Sequence, residues 1–254
     1  MIDQENELEY EVETSEPDPL DPFFADGRLE KVLHTLKSGK EGTVYCCRAH
    51  PSTGFELLAA KVYRPRNHRS FKNDSIYREG RVILNQRNAR AVKNKSDWGR
   101  QVSFGSWIFH EFETLQQLHA AGAAVPAPVA MAETAILMEY FGDEDQAAPM
   151  LSSVRLEPDE VRPLFAKLMH NIELLLSQNH IHGDLSPFNI LYWNGDVTMI
   201  DFPQSVDPRV NPQAFQLLGR DIDRICAYFT RYGLKSDPPR ITEFLWGKFF
   251  RAEL

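Results

Sequence analysis

The chain has 254 residues, of which 43% are hydrophobic and 25% charged, the balance of a globular protein with a core large enough for one two-lobed domain. A formal net charge of −8 argues against a general nucleic-acid binder. Three cysteines without a Cys-x-x-Cys pair argue against a zinc site. The lack of a secretory signal or a long apolar run predicts a cytoplasmic protein with reduced thiols and no membrane partner.

The first segment of the chain is strongly acidic. Residues 3–21 are rich in Asp, Glu and Pro and contain no Lys or Arg. Such a composition buries too little apolar surface to offset the entropy lost on ordering. We therefore expect residues 1–27 to form a flexible arm before one domain over residues 28–254. A solubilising tail is the simplest role for the arm, and a shield for a basic groove is the alternative.

Three apolar runs follow, over residues 29–36, 44–49 and 55–63, and predict three strands. The turn between the first two runs from Lys37 to Thr43 and contains two glycines. Glycines let backbone N–H groups approach phosphate oxygens closely, but a plain hairpin turn would look the same. The turn alone therefore leaves both interpretations open.

A lysine, Lys61, stands among apolar residues near the end of the third run. An unpaired ammonium is costly to bury, so Lys61 needs an anionic partner unless it lies on the solvent face of its strand. Helical periodicity over residues 106–121 predicts a helix that carries Glu111, the candidate partner for Lys61, and Glu113, the fallback.

The stretch between these elements, residues 64–100, is basic, with eleven Lys and Arg residues against three acidic ones. Such a segment could contact RNA phosphates or an acidic partner. A solvated helix and loop would show the same composition, so the sequence leaves these alternatives open.

An apolar run over residues 135–140 predicts a further strand, and the Phe141-Gly142 pair after it is typical of a hinge between two lobes. At such a hinge, adenine would hydrogen-bond to the backbone near Glu139 and Tyr140 and lie against Met138. An ordinary core strand is the alternative.

The most informative stretch runs from His182 to Asp201, after a helix predicted over residues 157–179. Its Asn-Gly pair between two apolar runs predicts a tight hairpin. Folding this hairpin brings Asp184, Asn189 and Asp201 together at its open end. Two carboxylates and a carboxamide oxygen suit Mg²⁺ held between protein and phosphates, and an Asp nearby can orient an attacking hydroxyl. This combination is typical of phosphoryl transfer.

Two more helices are predicted, over residues 211–231 and 241–250. On the first of them, Asp221 and Asp223 are candidates to brace the loop that carries Asp184. Ordinary carboxylates on a helix surface are the alternative.

These motifs together resemble the RIO family of atypical serine/threonine protein kinases, in the branch without an N-terminal winged helix. The resemblance rests on Ser38-Gly39-Lys40-Glu41 with Val44-Tyr45, Ala60-Lys61-Val62-Tyr63, His182-Gly183-Asp184-Leu185-Ser186 with Asn189, and Ile200-Asp201 with Gln204-Ser205-Val206. It implies an α+β, two-lobed protein-kinase-like fold. The N-lobe, about 28–138, would be an antiparallel sheet plus one helix, the hinge would span about 139–142, and the C-lobe, about 143–254, would be mainly helical. Neither Asp-Phe-Gly nor Ala-Pro-Glu is present, so no activation loop is expected.

The resemblance also implies roles for individual residues. Asp184 would be the catalytic Asp, and Asn189 and Asp201 would bind Mg²⁺ or Mn²⁺, with Asp201 as a possible phospho-acceptor. Lys61, fixed by Glu111, would hold the phosphates of ATP, and Ser186 would lie beside the γ-phosphate. The remaining ATP-binding candidates are Ser38, Gly39, Lys40, Glu41 and Val44 in the phosphate turn and Met138, Glu139 and Tyr140 at the hinge.

Three functions remain open from the sequence. The first is an ATP-dependent serine/threonine protein kinase that acts on itself or on an unknown protein. The second is an ATPase switch in small ribosomal subunit maturation, with residues 64–100 contacting the particle or its RNA. The third, a small-molecule phosphotransferase, would need a helical insertion after Asp201, and such enzymes usually carry His where this chain has Ser186.

Overall fold

The computed structural model describes residues 18–40, 42–64 and 97–254, and the side chains of residues 97–104 lie outside the description. The described chain contains one five-stranded antiparallel sheet in the order β1-β2-β3-β5-β4. Its strands are β1 (Leu29–Ser38), β2 (Gly42–Ala49), β3 (Leu57–Tyr63), β4 (Pro128–Met131) and β5 (Ala135–Glu139).

The rest of the described chain is mainly helical. The helices are α1 (Asp21–Ala25), α2 (Asp97–Ala120), α3 (Val161–Ser177), α4 (Ala214–Thr230) and α5 (Pro238–Phe250). A two-stranded hairpin, β6 (Ile190–Trp193) and β7 (Asp196–Met199), lies between α3 and α4 in sequence. None of the helices in these ranges combines the length and the apolar character needed to cross a membrane.

One large hydrophobic cluster runs through both halves of the molecule. It joins Ile108 and Leu115 of α2 and Ile136 of β5 to residues of α3 and α4 such as Leu168 and Ile222. All five are at most 2% exposed. Because the sheet and the helical part share this cluster, α2 is fixed against both of them, and the position of its polar residues is well determined.

A second cluster covers the opposite face of the sheet, and it corrects the expected arm. Leu20 and Phe23, at 4% and 1% exposure, pack there against Leu29 and Leu58. Residues 18–27 are therefore part of the folded domain rather than of a flexible arm, because these two apolar side chains are buried in the cluster on that face of the sheet. Residues 1–17 of the expected arm lie outside the described residues.

The tight hairpin predicted from Asn-Gly is present. Asn194 and Gly195 have φ angles of 51° and 77°, the two positive values that a type I′ turn needs. The predicted starts of two helices were less accurate. Helix α2 begins at Asp97 rather than at residue 106, and α3 begins at Val161 rather than at residue 157. Strand β4 was not predicted at all, because a proline, Pro128, begins it; its position at the edge of the sheet tolerates a residue that cannot donate to the ladder.

Candidate active site

A cleft of about 370 Å³ lies between the sheet and the helical part of the molecule. Its apolar walls come from Val44 and Ala59 on the sheet side and from Met150 and Leu191 on the opposite side. Its polar lining includes Lys37, Lys40, Lys61, Glu111, Asn189 and Asp201. Apolar walls with a few convergent charged groups are typical of a site for a small ligand.

Lys61 is the central charge of this cleft. Its Nζ donates to Glu111 Oε1 at 2.6 Å and to Asp201 Oδ1 at 2.7 Å, so one lysine bridges the two lobes. The Lys61 side chain is 15% exposed and that of Glu111 only 2%. The pairing of Lys61 with Glu111 is the one predicted from the sequence, and the fallback Glu113 is exposed.

Tyr63 completes the polar cluster, and sequence reasoning gave it no role. Its hydroxyl donates to Glu111 Oε2 at 2.6 Å, so both carboxylate oxygens of Glu111 are bonded. Burial lowers the pKa of Lys61, but the carboxylates of Asp201 and Glu111 outweigh it and leave that pKa well above its ordinary value. Burial alone would raise the pKa of Asp201, yet the Lys61 ammonium lowers it below the usual range. Lys61 and Asp201 are therefore both charged at neutral pH.

Asp184 lies in the loop before the hairpin, beside Asn189. Asn189 Nδ2 donates to the Asp184 carbonyl oxygen at 2.9 Å, which joins the two ends of this loop. The Asp184 carboxylate pairs with Arg224 of α4, whose Nη1 lies 2.8 Å from Oδ1. The two side chains are 41% and 38% exposed, so the pair is accessible to a substrate. Arg224 was not among the predicted site residues.

Asp221, on α4, holds the loop that carries Asp184 through its buried carboxylate. Its two carboxylate oxygens accept hydrogen bonds from the backbone N–H groups of Gly183, at 2.8 Å, and Leu185, at 3.0 Å. Asp221 is 2% exposed, and burial raises its pKa to about 7 against the lowering by these amides and by Arg220. Of the two candidate braces, Asp221 thus holds the loop, whereas Asp223 is exposed.

The backbone next to the metal candidates is equally constrained. Asp201 has a φ of 73°, in the left-handed region that costs a non-glycine residue energy and is common at functional sites. The N–H of Ile200 donates to the Asn189 carbonyl at 3.0 Å, which closes the open end of the hairpin. His182, 2% exposed, holds the same strand end through Nε2 and the Ile200 carbonyl, 3.1 Å apart.

The donor set at this end of the hairpin fits a magnesium ion that shares its coordination with phosphates. Asn189 Nδ2 is used in a hydrogen bond, which leaves its oxygen for a cation, and Asp201 adds a carboxylate. Mg²⁺ typically takes one or two protein oxygens and completes its shell with water and phosphate oxygens. No cluster of three or more His, Cys, Asp or Glu side chains suited to a metal occurs in the described ranges, so a closed all-protein site is not built there.

The hinge residues lie at one edge of the cleft. Met138, Glu139, Tyr140 and Phe141 all line it. The Glu139 N–H donates to the Ala127 carbonyl at 2.8 Å and is already used. The Glu139 N–H is therefore not available for the backbone contact to adenine that was expected from the sequence.

The glycine-containing turn differs in part from expectation. Gly39 and Lys40 line the cleft, as does Val44. The Ser38 hydroxyl instead lies 3.2 Å from Thr43 Oγ1 and accepts from Arg64 Nη2 at 2.9 Å.

Glycine at position 42 has a local reason. A Cβ there would lie 2.1 Å from the Val62 carbonyl oxygen. The Glu41 candidate lies outside the described residues, as do residues 65–96 of the basic segment.

The two remaining predicted residues of the catalytic loop lie beside the cleft rather than in its lining. Asp184 and Ser186 are not among the lining residues, although Ser186 is half-buried and its carbonyl accepts from the Asn189 N–H at 2.9 Å. The arrangement thus combines a cation in the lining of the cleft, a carboxylate and a carboxamide in the same lining, and a partly exposed carboxylate beside it. These parts are those that phosphoryl transfer requires.

The sequence of the chain matches a known domain family. The description of that family is RIO domain, and the match covers residues 43–241. The chain is 29% identical over 226 residues to the RIO-type serine/threonine-protein kinase Rio1 of Haloferax volcanii, which is 87% of this chain and 71% of that protein. It is 27% identical over 210 residues to the human serine/threonine-protein kinase RIO1, which is 82% of this chain but only 35% of that protein.

Two crystal structures of Rio2 kinase from Chaetomium thermophilum resemble the fold. One, a complex with ADP, Mg²⁺ and phosphoaspartate, has a TM-score of 0.65 over 89% of this chain and 64% of that chain, at 22% identity. The other has a TM-score of 0.64 over 89% and 66% of the two chains, also at 22% identity. The two-lobed, kinase-like α+β fold predicted from the sequence is therefore confirmed.

Proposed function

This chain belongs to the RIO domain family, and on that premise we propose that it is a phosphotransferase that moves the γ-phosphoryl group of ATP to serine or threonine hydroxyls. The observation that carries the proposal is the bridge from Lys61 to both Glu111 and Asp201. Pairing with carboxylates of both lobes keeps this ammonium charged and in place beside a cleft with apolar walls, and polyphosphate is a ligand that such a cation suits.

The adenine would lie between the apolar walls of the cleft, and the phosphates would extend toward Lys61. Lys61 would hold phosphate oxygens while Glu111 and Tyr63 keep its position. Asn189 and Asp201 would hold Mg²⁺, or Mn²⁺ in its place, and the ion when bound neutralises charge on the phosphates.

At the rim of the cleft, Asp184 would orient the attacking hydroxyl and accept its proton, with Ser186 beside the γ-phosphate. The loop that carries Asp184 is fixed by Asp221, so little reorganisation is needed to bring the hydroxyl into line.

The test is incubation of the purified protein with γ-labelled ATP and Mg²⁺, following label on protein and free phosphate together. Asp184→Ala should abolish acid-stable label on serine or threonine, while ATP binding persists because Asp184 lies outside the cleft lining. Asp223→Ala, an exposed carboxylate on α4, is the matched control and should keep wild-type labelling. Wild-type protein that binds ATP but yields neither label nor phosphate would contradict the proposal.

A second candidate, an ATPase that works as a switch, is favoured by the segment after Asp201. Phe202, Ser205 and Val206 are at most 3% exposed, and Val206 pairs with Ile181 through two backbone hydrogen bonds of 3.0 Å. A segment fixed in this way offers no open platform for a peptide substrate. Free phosphate formed with slow turnover and with little protein-bound label would favour this function over protein phosphorylation.

The switch would pass through Asp201 if that carboxylate accepts the phosphoryl group. The Chaetomium thermophilum structure contains phosphoaspartate, which makes the same chemistry a reasonable proposal for this chain. An aspartyl phosphate is an acyl phosphate, so hydroxylamine should remove the label and Asp201→Asn should prevent it. Label that survives hydroxylamine would assign it to hydroxyl groups instead.

The partners proposed from the sequence are a protein substrate, which could be the chain itself, and a ribosomal particle or its RNA. The ribosomal particle or its RNA would be contacted through the basic residues 64–100, in the cytoplasm. Co-sedimentation with small ribosomal subunits in ATP and in ADP would test it, and the same sedimentation in either nucleotide and in none would argue against a switch.

A further inference from the structure

Strand β1 is irregular where it enters the glycine-containing turn. Thr35 pairs with Tyr45 and Lys37 pairs with Val44, so the register shifts by one residue between them. Leu36 is the additional residue, and Leu36 and Lys37 together oppose Val44. An extra residue of this kind is a β-bulge, a device that often redirects a side chain next to an active site.

The bulge decides which side of the sheet Lys37 faces. In a regular strand, neighbouring side chains point to opposite faces, so only one of Leu36 and Lys37 could point into the cleft. Here Leu36, Lys37 and Val44 all line it. Ser38, the next residue, has its hydroxyl on Thr43 and Arg64 instead. The shift in register therefore moves a lysine into the lining of the cleft.

Lys37 forms no ion pair or side-chain hydrogen bond within the described part of the chain. Among residues 18–40, 42–64 and 97–254, the ion pairs and side-chain hydrogen bonds include Lys61 but none that uses the Lys37 ammonium. An exposed lysine in the lining of a cleft that also contains Lys61 matches a group that carries several negative charges.

We propose that Lys37 binds the polyphosphate of the nucleotide. The bulge in β1 directs this lysine into the cleft. The proposal rests on the proposed function, in which the phosphates lie between the turn and the Lys61–Asp201 pair. Lys37 then approaches the phosphates from the sheet edge while Lys61 holds them from the floor of the cleft. Because an ammonium binds phosphate as a point charge, its contribution should depend on charge more than on shape.

The experiment measures dissociation constants of ATP, ADP and adenosine, with Mg²⁺, for wild type and three variants by titration calorimetry. Lys37→Gln removes the charge, and Lys37→Arg keeps it. Lys31→Gln is the matched control, because Lys31 is an exposed lysine of the same strand outside the cleft lining. We expect Lys37→Gln to weaken ATP and ADP about tenfold and to leave adenosine unchanged, because only the phosphates meet the charge.

Lys37→Arg should remain within about threefold of wild type for all ligands, and Lys31→Gln should match wild type. Unchanged ATP affinity in Lys37→Gln would overturn the role of Lys37 while leaving the proposed function intact. An equal loss for adenosine would also overturn it, because the substitution would then be disturbing the adenine site. Failure of the wild type to bind ATP would instead overturn the proposed function together with the role of Lys37.

Discussion

The two sides of the cleft place their functional groups by different means. On the helical side, buried side chains hold the catalytic loop directly, since Asp221 accepts from the amides of Gly183 and Leu185. On the sheet side, the register of the strand pairing determines which side chains face the cleft. One ion pair, Lys61 with Glu111, links the sheet to α2. The loop that carries Asp184 is thus held by hydrogen bonds to a helix, whereas the sheet side depends on a charge pair and on a bulge.

The largest effect should come from breaking that charge pair. Lys61→Met leaves Glu111 buried without its counter-charge, and removing one partner of a buried pair typically costs about 3–5 kcal/mol. Phosphoryl transfer should also fall by about a hundredfold or more, because a preorganised charge at the phosphates is lost. Urea unfolding and labelling with γ-labelled ATP measure the two losses.

The double variant Lys61→Met/Glu111→Gln separates the loss of stability from the loss of phosphoryl transfer. Neutral glutamine can stay hydrogen-bonded to Tyr63, so stability should recover in part while activity stays low. Lys31→Met, which removes an exposed lysine of the sheet, should change neither quantity. If Lys61→Met proves as stable as wild type, the ion pair adds nothing to the hydrophobic contacts that join the sheet to α2.

The next effect tests the helical side. Asp221→Ala leaves two backbone N–H groups buried without acceptors, which should lower the free energy of unfolding by about 3 kcal/mol. Asp223→Ala removes an exposed carboxylate two residues away on the same helix and should cost less than about 0.5 kcal/mol. Equal losses in the two variants would show that Asp221 does not brace the loop.

The sequence predicted the helical side of the site better than the sheet side. The hairpin, Asp184, Asn189 and Asp201 lie within one short stretch, where Asn194-Gly195 is a strong local signal. Register is different, because a bulge has no reliable sequence signal and depends on how both strands pack. Lys37 was therefore passed over, although it stands in the same turn as Gly39.

Contacts between distant parts of the chain were predicted only where a strong chemical demand existed. A lysine within an apolar strand needs an anionic partner, and the family resemblance then pointed to Glu111 on the next helix. Nothing in the sequence links Arg224 with Asp184, because both side chains are charged and would be well solvated in water without a partner. The pairing follows from the packing of α4 against the catalytic loop, which local patterns do not encode.

A smaller effect should come from Arg224 itself. Arg224→Ala frees the Asp184 carboxylate from its only partner among the described ion pairs, so we expect kcat to fall about tenfold through poorer orientation. The KM for ATP should stay the same, because Arg224 is outside the cleft lining. Stability should change by less than about 1 kcal/mol, since both side chains are more than a third exposed.

Steady-state kinetics distinguish this role from a structural one. Arg224→Lys keeps a positive charge within reach of Asp184 and should recover part of kcat. A rise in KM with unchanged kcat would mean that Arg224 contacts a substrate rather than orients Asp184. Either way, the result shows whether the helical side contributes charge to catalysis or only rigidity.

The smallest effect concerns pH and again tests the helical side. Burial lowers the pKa of His182 and outweighs the opposing effects of the Ile200 carbonyl, 3.1 Å from Nε2, and of the Asp201 and Asp184 carboxylates. As the pH falls, His182 is therefore protonated at about pH 6.5 in the unfolded chain but is still neutral in the folded chain at that pH. Stability from this group is complete above that pH and is lost as pH falls through and below it.

Urea unfolding between pH 8 and pH 5 should thus show a steeper loss of stability for wild type than for His182→Gln, which cannot titrate. His50→Gln, at an exposed histidine of the sheet side, should follow wild type. Parallel curves for wild type and His182→Gln would mean that the folded loop accommodates the imidazolium. In that case the catalytic loop would be less rigid than its hydrogen bonds indicate, and the contrast between the two sides of the cleft would weaken.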